Sequence, residues 1–310
     1  MKTPFKRAIV YDIETGGLNV EHNNITEIAM VAVDLESLEI IDEVSVLIKP
    51  RLNLSNRLDD MHNEAKVLYK ECSEKNDNGE KFLSFAGNNY TVMDSTEAIL
   101  EPLKDFHSMI DKMYAKKILS LTDIIKLLQD PRYSDITKLY FNKAYNKEAL
   151  DVTGISTELL VSDGVEYEEA YNIIKGTIDK HKLGNSKPII AGHNIGSLPR
   201  RILKGKEVKP DGFDNPFMEK FFHENGDCWF SSINDVIIDT LKMARLKWRE
   251  LPNYALGTCA NELGMTLENA HRALPDTIAN AKVLIKMLKS LRGEGAGQST
   301  YTRKKFNLNY

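Results

Sequence analysis

The sequence predicts an α/β fold: a mixed sheet flanked by helices, with an inserted subdomain. Three observations carry this expectation. "ITEIAMVAVD" and "EIIDEVSVLIKP" alternate as paired strands should; "KPIIAGHN" reads as a buried strand in the second half; and stretches with apolar residues at helical spacing separate and follow them. A chain of 310 residues with 42% hydrophobic and 28% charged residues is long enough to bury a large core. Its formal net charge of −4 excludes a generally basic nucleic-acid coat, so any grip on a polyanion must come from a local patch or from cations held by carboxylates. Cys72, Cys228 and Cys259 form no CxxC pair, which argues against a disulfide framework and a zinc site. No stretch approaches a membrane span, and the expected location is cytoplasmic.

Taken in order, Ala8 to Tyr11 is a short β-leaning run that ends at Asp12, ahead of the two alternating strands. Residues 51–142 change texture. "EKFLSFAGNNYTVM" suggests a hairpin around Gly87 to Asn89, and Asp94 with Glu97 suggests a capping box opening a helical region. The segment holds 13 Lys+Arg against 15 Asp+Glu, the balance of a solvated inserted subdomain more than of a nucleic-acid clamp. A short helix, a turn at Gly154 and an amphipathic helix from about Tyr167 to His181 follow. "KPIIAGHN" comes next, then a strand ending near Asp239 with a helix behind it. "NYALGTCANELGM" is a helix stopped by Gly264, and the last helix is expected to begin at Pro275, with Ile278, Ala281, Leu284, Ile285 and Leu288 on its apolar stripe. Residues 291–310 read as a flexible tail, or alternatively as a partner-docking peptide.

Chemistry concentrates at two places. Asp12 and Glu14 lie two apart on a strand, so both carboxylates share a face, where a divalent cation would relieve their repulsion. "TGGL", Thr15 to Leu18, supplies a glycine turn at which backbone can approach a ligand. Near the other end, "HRALPD" sets His271 five residues ahead of Asp276: an imidazole suited to proton abstraction near neutral pH beside a further candidate ligand. Asp239 and Thr240 read as a structural helix cap.

Together "YDIETGGL", "GHN", "DTLKMAR" and "HRALPD" resemble, in order and spacing, the DEDDh (DnaQ-like) 3′–5′ exonuclease family, over residues 5–50 and 143–290. The resemblance implies a ribonuclease H-like sheet in a domain formed by residues 1–50 and 143–290, with 51–142 inserted. It implies a two-metal hydrolysis of terminal phosphodiesters in single-stranded nucleic acid, with release of nucleoside monophosphates and DNA favoured over RNA. Asp12, Glu14 and Asp276 match the family's metal ligands, and His271 its general base.

The family's middle motif continues from His-Asn to Phe-Asp within a few residues. Here Leu198 and Pro199 stand where the acid is expected after His193 and Asn194, and either the ligand is lost or residues 195–212 are an insertion. The insertion reading makes Asp214, after Phe213, the fourth ligand for two Mg²⁺ or Mn²⁺ ions. The resemblance assigns the terminal nucleotide to Thr15, Gly17, Leu18, His193, Asn194 and Phe213. The 195–212 loop has three more basic than acidic residues; Arg200 and Arg201 are its candidates for phosphate contact, against the alternative of a solvated hairpin. Expected partners are the 3′ end of single-stranded DNA or RNA and a DNA polymerase or other replication protein, with no membrane. The rival class is a catalytically silent nuclease-fold scaffold or nucleic-acid-binding subunit.

Overall fold

The computed structural model describes residues 5–55, 58–74, 83–91, 94–114, 116–196, 201–203, 206–208, 212–265 and 271–294. In chain order these form β1 (Arg7–Thr15), β2 (Ile25–Asp34), β3 (Glu39–Leu47), β4 (Leu52–Asn53), α1 (Leu58–Glu74), β5 (Leu83–Phe85), β6 (Asn88–Tyr90) and α2 (Thr96–Met113). Then come β7 (Ile118–Leu119), α3 (Leu121–Gln129), α4 (Ser134–Ala144), α5 (Lys147–Thr153), α6 (Thr157–Asp163), α7 (Tyr167–Lys180), β8 (Ile189–Gly192), β9 (Arg201–Leu203) and β10 (Lys206–Val208). The chain closes with α8 (Asp214–Glu224), α9 (Trp229–Ser232), β11 (Ile237–Asp239), α10 (Thr240–Lys247), α11 (Leu256–Glu262) and α12 (Ala273–Arg292).

Five strands make one mixed sheet in the order β11-β8-β1-β2-β3. β1, β2 and β3 pair antiparallel, while β8 runs parallel to both β1 and β11. Alternation along β1 divides two cores. Ile9, Tyr11 and Ile13 face one cluster with α7, α8 and Trp229; Ala8 and Val10 face the other, with Ala281 and Leu284 of α12. Asp12 and Glu14 continue the second face past the end of its apolar part. A third cluster runs from Leu52 to Leu160 and is built around α2, with Phe106, Ile110, Ile136 and Tyr140 fully buried.

Several local expectations shift by a residue or more. α2 is capped by Ser95, whose side chain accepts from the Ala98 N–H, while Asp94 instead accepts from Thr91. The hairpin turns at Ala86 and Gly87, both in the left-handed region, between β5 and β6. α6 is an additional helix capped by Ser156. α12 begins at Ala273, so Pro275 is its third residue, still within the first turn where a missing N–H costs no internal bond. Gly264 has φ +70, as a residue just past a helix end should. No described helix is long and apolar enough to cross a membrane.

One buried amide joins α8 to β1. Asn215 Oδ1 accepts from Tyr11 Oη (2.8 Å) and Trp229 Nε1 (2.7 Å), and its Nδ2 donates to the Gly196 carbonyl (2.7 Å). Asn215→Ala would leave the Tyr11 hydroxyl and the Trp229 indole N–H buried without partners, at about 1–3 kcal/mol each. The expected loss is about 2–6 kcal/mol of unfolding free energy in urea titration.

Candidate active site

Three segments distant in sequence meet at the carboxyl end of β1. Asp12, Glu14 and Asp276 each offer a carboxylate oxygen within 4.8 Å of the other two. Asp276 arrives from the first turn of α12, which packs on the same sheet face. Asp214 is buried at the first position of α8 and accepts from its own N–H and from that of Ile13, between the two β1 acids.

The chain returns to this point across the 195–212 segment. The Phe213 N–H donates to Asn194 O (2.9 Å) and the Asn215 N–H to Ile195 O (3.1 Å); a Cβ on Gly212 would sit 2.1 Å from the Gly196 nitrogen. Backbone before and after the excursion is therefore in direct contact, and Phe213-Asp214 follow His193-Asn194 in space. Within the excursion β9 and β10 pair antiparallel; Arg200 lies outside the described residues, and Arg201 is placed only as part of β9.

Crowding of the acids changes their titration. Burial, then Asp214, Glu14, Asp276 and Glu27, holds Asp12 well above the ordinary carboxylate range. Glu14 is pushed up to about 8 by burial, Asp276, Glu27 and Asp214, partly offset by Arg272. Burial raises Asp214 to about 7 against the hydrogen bonds it accepts, and burial also raises Asp276. Asp276 Oδ2 accepts from the His271 N–H (3.0 Å), whereas its buried Oδ1 has no hydrogen-bond partner among the described residues. A cluster of hard oxygen donors, mutually repelling and with one oxygen left unpaired, fits a divalent cation.

The other candidate residues divide between surface and scaffold. His271 is exposed, with φ +73. Leu18 is 86% exposed beside the acids' loop, and Phe213 is half-buried against Phe217. Thr15 is buried and donates to Gly17 O (2.6 Å). The glycine turn is required by internal packing: a Cβ on Gly16 would lie 2.2 Å from Ala144 O, and one on Gly17, at φ +150, would meet the Asn23 amide at 2.6 Å. His193 directs both ring nitrogens inward, Nδ1 to Thr240 Oγ1 (3.0 Å) and Nε2 to Tyr254 O (2.8 Å). Asn194 is exposed at φ +67, with its N–H on Asp239 Oδ1 (3.1 Å). As expected, Asp239 caps α10, accepting from the Leu241 and Lys242 N–H groups.

Residues 9–131 match the family model described as "Exonuclease" of the ribonuclease T type. The match covers β1 to β3, with Asp12 and Glu14, and the segment up to α3. Over those residues the chain is similar to DnaQ-like exonucleases. It is 28% identical over 146 residues to the DNA polymerase III PolC-type of Bacillus cereus, covering 47% of this chain and 8% of that protein. It is also 39% identical over 59 residues to that of Bacillus subtilis, covering 19% and 4%. The chain thus spans less than a tenth of the length of these relatives. A solved structure of Escherichia coli exonuclease I, the zinc-bound complex with single-stranded DNA, superposes with a TM-score of 0.50 at 14% identity, covering 94% of this chain and 42% of that one; it shares the ribonuclease H-like exonuclease fold.

Two residues of the exonuclease domain escaped the motif reading. Glu27, buried on β2 opposite Glu14, accepts from Arg272 and from the Ala273 N–H. Asn23 Nδ2 donates to Gly16 O (3.2 Å) and Lys143 O (2.6 Å), tying the glycine turn to the end of α4. Their only sequence signals are an acid inside an apolar strand and an Asn-Asn pair before it.

With cations removed by chelator, the folded domain keeps protons on Glu14 up to about 8 and on Asp214 up to about 7, while the unfolded chain releases them near pH 4. Between those values the unfolded chain binds fewer protons, so unfolding free energy falls as pH rises. Carboxylates held low, such as Asp42 and Asp179, titrate below this window and do not offset it. The expected outcome is a Tm in chelator that drops from pH 5 to pH 8, and a stabilisation by Mn²⁺ that is larger at pH 8 than at pH 5. Differential scanning calorimetry checks both.

Proposed function

We propose that this chain is a metal-dependent 3′–5′ exonuclease that hydrolyses the terminal phosphodiester of single-stranded nucleic acid and releases nucleoside monophosphates. The convergence of Asp12, Glu14 and Asp276, with a buried Asp276 oxygen left unpaired and Asp214 beside them, is the observation that carries this reading. These four carboxylates would hold two Mg²⁺ or Mn²⁺ ions, which when bound neutralise the phosphodiester and lower the pKa of water. His271, exposed and joined through its backbone N–H to Asp276, takes the proton of the attacking water. The water oxygen bonds to phosphorus, the P–O3′ bond breaks, and solvent protonates the leaving oxygen.

The turn from Thr15 to Leu18 and the Phe213 ring receive the last nucleotide, with the exposed Leu18 against its base. His193 supports the site from behind through Thr240 and Tyr254, and Asn194 borders it. Arg200 and Arg201 on the basic excursion contact phosphates further along the strand. DNA is the favoured substrate and a polymerase the favoured partner, because the curated relatives are DNA polymerases of the PolC type. Retention of every acid and of His271 disfavours the silent-scaffold reading.

Asp214→Ala should abolish Mn²⁺-dependent release of mononucleotides from a 5′-labelled single strand, by at least about 10²-fold in kcat. Pro199→Ala should leave it within about twofold of wild type, since the insertion reading gives Pro199 no part in holding the cations. The reverse pattern would sink the assignment of Asp214.

A further inference from the structure

Glu27 is a buried acid that the proposed reaction does not use, and it stands beside the acids that the reaction does use. Its side chain is 3% exposed, and its register on β2 sets it directly opposite Glu14, on the same sheet face. Two carboxylates facing each other across a strand pair repel. Glu27 nevertheless turns its hydrogen bonds toward the segment that precedes Asp276. Oε2 accepts from Arg272 Nε (3.0 Å) and from the Ala273 N–H (3.2 Å), while Oε1 accepts from Arg272 Nη2 (3.2 Å) and from Ser45 Oγ (2.8 Å). The forked pairing fixes the guanidinium plane, and the Ala273 contact caps the first turn of α12.

Arg272 follows His271 directly and lies four residues ahead of Asp276, so its tether to β2 governs both. It is also close enough to Glu14 to favour the charged form of that acid. Released from Glu27, the guanidinium would find its next anionic partner in Glu14 and remove that oxygen from cation binding.

Resting on the exonuclease reading, we propose that Glu27 is a positioning residue: its forked grip on Arg272 and α12 sets His271 and Asp276 against Asp12 and Glu14, and keeps the arginine off Glu14. The test uses the full chain and a 5′-labelled single strand with Mn²⁺, measuring kcat, KM and Tm for Glu27→Gln, Arg272→Ala and Arg272→Lys. Each variant is expected to lose about 10–100-fold in kcat, the cost typical of losing a residue that orients metal ligands. KM should stay within about twofold, because the terminal-nucleotide contacts are untouched. Guanidinium at non-denaturing concentration should restore most of the Arg272→Ala loss, since the side chain is partly exposed and leaves an open slot. It should do nothing for Arg272→Lys or Glu27→Gln.

Full activity in Glu27→Gln, or a loss in Arg272→Ala that tracks a fall in Tm and is not rescued by guanidinium, overturns the inference and leaves the exonuclease reading standing. If the wild type releases no nucleotide, that reading has failed, and Mn²⁺ affinity by calorimetry decides the positioning role. Weaker binding in Glu27→Gln supports it, and unchanged binding overturns it.

Discussion

Carboxylates at the carboxyl end of β1 stand closer together than a folded chain can keep ionised without help. Two unit charges about 4 Å apart repel by about 4 kcal/mol at an effective dielectric near 20, and Asp12 feels Asp214, Glu14, Asp276 and Glu27 at once. Within the described chain Glu27 is paired with the Arg272 guanidinium, and backbone N–H groups meet Asp214 and Asp276 only in part. The remaining acids must hold protons or share cations. Their placement follows from alternation along a single strand, since the face that carries Ala8 and Val10 into the α12 core carries Asp12 and Glu14 to the site beyond it.

The surrounding ties keep that cluster in place. α8 is held at its start by Asn215 under Tyr11 and Trp229, and at its end by Glu224, which pairs with Arg51 and accepts from Asn53 Nδ2 (2.7 Å) and Tyr167 Oη (2.7 Å). Between them Lys220 Nζ donates to Val20 O (2.8 Å), bracing the loop behind Leu18. The same loop is fastened to the far end of α4 through Asn23 and through the Asn146 N–H on Gly16 O (2.8 Å). The segment from Leu52 to Ala144 therefore leaves the sheet near Arg51 and comes back against the glycine turn, contributing backbone contacts to the site's rim.

Asp12 with Glu14, and His271 with Asp276, can be proposed from sequence because each pair is set by short-range geometry: period two on a strand, and about one turn at a helix start; the structure brings Asp12, Glu14 and Asp276 together. The start of α12 is not legible, because the Ala273 N–H is met by Glu27, 246 residues earlier, and Arg272 at the N-cap makes no side-chain cap bond. The sequence offers "TGGL" as a turn that a ligand can approach, and it does not show the second demand on Gly16 and Gly17, whose Cβ side is closed by Ala144 O and the Asn23 amide. Nothing in "GHN" shows that Thr240 and Tyr254, 47 and 61 residues away, take both ring nitrogens of His193. The second motif could be rejoined from spacing alone, and the contact of Phe213 with Asn194 brings its halves together.

Proton release is the signature of cation binding at this site, since acids held protonated near neutral pH must give up protons to become ligands. Calorimetric titration of Mn²⁺ into chelator-treated protein at pH 7, repeated in two buffers of different ionisation enthalpy, counts them. The expected result is saturable binding with net release of protons, both lost in Asp12→Asn with Glu14→Gln. Binding with no proton release, or no binding at all, would contradict the claim that repulsion among these carboxylates organises the site.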